Sequence, residues 1–102
     1  MLDQVKISAI SLFSSSNNII SNNDLGATND SAQSPSYELF EIKDGGATTT
    51  ESFLTFCENS VNGNDNDNCA GIKSRLQMNY CKITDNTFLQ LKEMLDIVDL
   101  NT

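Results

Sequence analysis

Between Arg75 and Leu100 the apolar residues change their spacing once, and that change constrains the chain more than any other feature. Leu76, Met78 and Tyr80 alternate as one face of a half-buried strand does, and Cys81 and Ile83 carry the apolar run onward. Thr84 and Asp85 then offer side-chain oxygens to the free N–H groups of a first helical turn. Phe88, Leu91, Leu95 and Val98 follow at steps of three and four. The pattern predicts a strand feeding an amphipathic helix from about Asn86 to about Asp99. No glycine or proline lies between Phe88 and Thr102 to stop it, so the helix is expected to run continuously through Ile97. Its apolar stripe must cover a surface.

Upstream, Tyr37 to Lys43 mixes aromatic and branched residues with charges, Asp44-Gly45-Gly46 suits a tight turn, and Thr48 to Phe56 is again branched and aromatic. This reads as a β-hairpin over Tyr37 to Phe56. Residues 1–35 are rich in serine and asparagine. Met1 to Phe13 could form a short amphipathic helix, and only Ile19, Ile20 and Leu25 offer sizeable apolar groups after it, so this segment is expected to be largely disordered. The fold class that follows is α+β: a domain over 36–102 with a small antiparallel sheet packed by the C-terminal helix.

Six basic residues against fourteen acidic ones leave a net charge of -8, which disfavours nucleic acid and anionic membrane surfaces and suits a protein partner. No stretch approaches a membrane span or has the build of a secretory signal, so a cytoplasmic location is expected, with export by another route as the alternative. Cys57, Cys69 and Cys81 stand at equal separations, with no Cys-x-x-Cys pair and no histidine to complete a zinc site; reduced thiols are expected. The acidic loop Asn62 to Asn68 fails as a calcium loop. Counted from Asp65, the glycine and glutamate positions hold Ala70 and Leu76; counted from Asn62, they hold Asp67 and Lys73. With no histidine, no phosphate-cradling glycine loop and no tryptophan, neither a catalytic constellation nor a cofactor site is expected. Glu38, Glu41, Asp96 and Asp99 are read as the wet side of their elements.

Leu54-x-Phe56-x-x-Asn59-x-Val61 recurs as Leu76-x-Met78-x-x-Cys81-x-Ile83, and Val98-x-Leu100 starts a third copy at the same step of 22 residues. This resembles the leucine-rich repeat, and Cys81-Lys82-Ile83-Thr84-Asp85 with Phe88 and Leu91 is similar to its cysteine-containing variants. The resemblance implies an alternative architecture, a short α/β solenoid fragment, in which Thr55, Gln77, Asn79 and Asp99 face a protein partner. Glu38 to Gly46 also resembles the end of a double-glycine leader, which implies processing after Gly46 to release a small exported peptide. The reading favoured by the residues themselves is a non-catalytic protein-interaction module, with an exported peptide or effector as the alternative.

Overall fold

The computed structural model describes residues 9–27, 37–46, 49–64 and 69–101. Among them lie eleven strands and no helix: β1 (Ile10–Phe13), β2 (Ile19–Ser21), β3 (Asp24–Gly26), β4 (Tyr37–Lys43), β5 (Thr50–Ser52), β6 (Thr55–Cys57), β7 (Ser60–Asn62), β8 (Cys69–Asn79), β9 (Lys82–Thr84), β10 (Thr87–Leu89) and β11 (Glu93–Asn101). Each strand pairs in parallel with the strand one winding above or below it. One sheet runs β1-β4-β8-β11 with β5 also on β8; the other two run β2-β6-β9 and β3-β7-β10. The chain therefore climbs as a three-sided parallel β-solenoid. Its first coil is β1 to β3, its second β4 to β7 and its third β8 to β10, and β11 starts a fourth.

Stacking by register builds the core. Ile10, Phe40, Ile72 and Leu95 align up the first sheet; Ile20, Phe56 and Ile83 align up the second; Leu25, Val61 and Phe88 align up the third. Phe40 and Phe56 are fully buried, and their rings lie face to face across the interior at 5.0 Å and 6°. Burying each side chain contributes about 1.5–3 kcal/mol, so these rings are major contributors in so small a chain.

The corners depend on backbone in the left-handed region at equivalent places in successive coils. Phe53 and Tyr80 (φ 55° each) turn the chain from the first sheet to the second with Asn17 (φ 63°) below them, and Asn22, Glu58 and Asp85 repeat this at the next corner. At that second corner buried Asn59 joins the coils. Its Oδ1 accepts from the Asn23 backbone N–H at 2.9 Å, and its amide nitrogen donates to the Ile20 carbonyl at 3.0 Å and to Asn86 Oδ1 at 3.1 Å. Asn86 in turn donates to the Phe56 carbonyl at 2.9 Å. The ladder satisfies the Asn23 N–H, which the corner takes out of the sheets, and ties it to the Ile20 and Phe56 carbonyls of the strands.

The α+β expectation, with its antiparallel sheet and C-terminal helix, is overturned. Residues 87–89 and 93–101 are strands β10 and β11, and Gln90 takes a left-handed φ of 53° between them. Apolar steps of three and four fit a helix, but they also fit a chain that turns a corner. Phe88, Leu91 and Ile97 pack against the core from two walls, while Val98, expected in the helical stripe, is 61% exposed. The hairpin is overturned as well, because β4 and β5 both pair in parallel with β8 and not with each other. Asp44 to Gly46 leave β4 as an exposed segment of the second coil. It is held by the Gly45 N–H donating to Ser14 Oγ at 2.8 Å.

Strands β1 to β3 lie within the segment expected to be largely disordered, where Leu25 is buried and Ile10, Leu12 and Ile20 pack against the core. The helix expected over Met1 to Phe13 falls partly on residues 1–8, outside the described residues; Ile10–Phe13 is a strand. Most of the acidic loop, residues 65–68, is also outside them. The 22-residue step holds only at the end of the last winding, where Gln77 pairs with Asp99; earlier in that winding, at Ile72 and Leu95, it is 23, and between the second and third coils it is 27, from Thr55 to Lys82.

One buried polar group has a pH signature. Glu51 stacks beneath Met78, is fully buried, and accepts from the Ser15 N–H at 3.0 Å and the Asn18 amide at 3.3 Å. Burial raises its carboxyl above the ordinary 4.5, partly opposed by these two hydrogen bonds. The fold therefore favours the protonated form. Its contribution is fully present below the unfolded value and is lost as pH rises through the raised folded value. Glu51→Gln keeps an oxygen for Ser15 and cannot ionise. The difference in unfolding midpoint between Glu51→Gln and the parent is expected to grow in favour of the variant from pH 4.5 to pH 7; a pH-independent difference would contradict this.

Candidate interaction surface

Three of the four residues expected to face a partner come together. Gln77 pairs with Thr50 on one side and Asp99 on the other, and Asn79 pairs with Ser52 and Asn101, so six polar residues form a shelf across three coils of the first sheet. Asn101 donates to Asn79 Oδ1 at 3.3 Å and to Asp99 Oδ1 at 3.1 Å. Thr55 is not on this shelf. It lies in the second sheet, between Ile19 and Lys82, beyond the corner.

That corner carries the residues missed in the sequence. The Phe53 and Tyr80 rings stack at 5.2 Å and 12° and are 53% and 66% exposed. Bulky side chains rarely occupy left-handed backbone, so two of them in register mark a position where the corner geometry is imposed by the coil. Each follows a polar residue of the shelf, Ser52 or Asn79, and precedes an inward one, Leu54 or Cys81.

Further along the same sheet, Glu41, Lys43, Asp44, Lys73, Arg75 and Leu76 surround a shallow groove of about 250 Å³. Its charges compensate one another. Glu41, Lys73 and Asp96 stand in register up the sheet, Lys43 lies 3.7 Å from Glu41, and Arg75 pairs with Asp96 at 2.8 Å. The hydrogen bond to Arg75 holds the Asp96 carboxyl below its ordinary value, and the same contact raises Arg75. Exposed pairs of this kind contribute little to stability. The groove is therefore a solvated ladder of alternating charge.

Reactive groups are muted. The Cys69 thiol is pushed up to about 11 by burial and by Glu38, and burial also raises Cys81, so neither supplies thiolate near neutral pH. Glu38, expected on the wet side, is only 3% exposed. Among the described residues no group of three acidic, cysteine or histidine side chains is placed to hold a metal ion, and no helix is long and apolar enough to cross a membrane. Comparison with known proteins gives no match to this chain from any family model, curated protein or solved structure.

Proposed function

We propose that this chain is a non-catalytic protein-interaction module, whose first sheet and adjoining corner meet the partner. The observation that carries the proposal is the exposed Phe53–Tyr80 stack beside the shelf of Thr50, Ser52, Gln77, Asn79, Asp99 and Asn101. Aromatic anchors with a polar surround are the composition of protein interfaces, and the ladders of a solenoid hold them in place with little ordering cost on binding. The net charge of -8 favours a neutral or basic partner. The three free cysteines are compatible with the cytoplasmic location that goes with this proposal.

Affinity capture from the native source with the parent chain and with a Phe53→Ser/Tyr80→Ser variant tests it. The parent is expected to retain a defined partner that the variant loses by tenfold or more, the loss of two anchors of about 1–2 kcal/mol each, while the variant still unfolds cooperatively. Equal retention by both chains would refute the proposal. So would a native species beginning at Ala47, since processing after Gly46 would divide the second coil.

A further inference from the structure

The second sheet is narrow, with three residues in each of β2, β6 and β9, and a left-handed corner bounds it on either side. In the first coil the two corner positions are held by Asn17 and Asn22, a residue type that accepts left-handed backbone readily. In the second and third coils they are held by Phe53 and Tyr80 at one end and by Glu58 and Asp85 at the other, all four exposed. Glu58 and Asp85 stand one residue beyond the Cys57–Thr84 pair, so they occupy the same place on neighbouring coils, about 4.8 Å apart across the sheet. Asp24, exposed in β3 just past this corner, adds a third negative charge. None of the three forms an ion pair among the described residues. Like charges in register on adjacent strands repel. The first sheet avoids this by alternating Glu41, Lys73 and Asp96 up its coils, whereas this corner repeats one sign.

We infer that the second sheet is the bed for an extended partner segment that sets an apolar side chain against Phe53 and Tyr80 and an arginine against Glu58 and Asp85. This rests on the reading of the Phe53–Tyr80 stack as the anchor of an interaction module, and it names the chemistry of the partner. Phe53 to Glu58 is five residue steps, about 17 Å of fully extended chain, so the two groups of the partner stand about five residues apart. The planar guanidinium, with five donors, suits two carboxylates one coil apart and relieves their repulsion. Lys82, above Thr55 at the aromatic end of the strand, repels a base from that end and so fixes which way round the two groups sit. Thr55 then lies beneath the segment, between the two corners.

The test uses the full chain, isotope-labelled, with a synthetic eleven-residue peptide that places one tryptophan at its centre, an arginine five residues away on each side, and serine elsewhere. Its symmetry lets it bind in either chain direction. Amide shifts are expected to move together at Phe53, Tyr80, Glu58 and Asp85, with affinity that falls as salt rises. The same peptide with glutamate for arginine is expected to bind about tenfold more weakly or worse. Glu58→Asn/Asp85→Asn removes both charges and keeps a residue suited to left-handed backbone, so it should unfold as the parent does and bind the arginine peptide about fivefold more weakly. No binding, shifts confined to Phe53 and Tyr80, equal affinity for the two peptides, or unchanged affinity in the asparagine variant would overturn the inference. If the peptide fails in any of these ways while capture still depends on Phe53 and Tyr80, the second-sheet assignment falls and the interaction module stands.

Discussion

Replacing Asn59 by leucine is expected to destabilise the protein by about 3 kcal/mol or more, because it removes several hydrogen bonds at one corner at once. The side chain is 2% exposed. The Asn23 N–H loses its partner, the Ile20 carbonyl loses the bond from the Asn59 amide, and Asn86 Oδ1 keeps only the Asn59 backbone N–H, at 2.9 Å. Leucine has a similar volume, so the loss reports hydrogen bonding more than packing. Against a total stability of about 5–15 kcal/mol for a domain of ordinary size, such a change leaves a small solenoid near its unfolding threshold. Urea unfolding of Asn59→Leu beside Asn23→Ala separates the two ends of the ladder. The latter should cost less, because Asn23 is exposed and its side chain bonds only Asn59 Oδ1 at 3.1 Å and the Ser21 carbonyl at 3.1 Å. Equal losses would show that Asn59 acts through its corner geometry and not as the joint between coils.

Phe56→Ala is expected to cost about 3–5 kcal/mol, the range for deleting a fully buried aromatic ring. Phe56 has no exposure, stacks on Phe40, and is flanked in register by Ile20 below and Ile83 above. Parallel ladders on three sides fix the spacing of those neighbours, so the walls have little freedom to close over the cavity. Phe56→Leu should recover much of the loss by refilling volume. Calorimetric or denaturant unfolding of the pair checks this; a loss below about 1 kcal/mol for alanine would mean the core is not packed around this ring.

These two positions also show why the repeat was hard to see. Asn17 to Leu25, Phe53 to Val61 and Tyr80 to Phe88 are the same nine-residue unit: a left-handed corner residue, an alternating strand, a second left-handed residue, then Asn23, Asn59 or Asn86, then an inward Leu25, Val61 or Phe88. The units stand 36 and then 27 residues apart, as Ile19–Thr55 and Thr55–Lys82 show, so successive coils differ in length. A search at one fixed step passes over such a series.

By itself the sequence determined the strand through Leu76 and Met78, the acidic balance and the thin inventory of reactive side chains. The resemblance to leucine-rich repeats implied a common face for Thr55, Gln77, Asn79 and Asp99, of which Gln77, Asn79 and Asp99 share the first sheet and Thr55 lies in the second. Only the tertiary structure decided that every pairing is parallel, that 93–101 extends instead of coiling, and that Phe53 and Tyr80 meet at a corner. The physical reason is that a parallel strand takes its hydrogen bonds from a segment a whole coil away, while the local sequence carries only periodicity. Where that periodicity suits both a helix and a turning strand, as from Phe88 to Val98, the neighbouring β8 edge decides, by satisfying the backbone of β11 along its length.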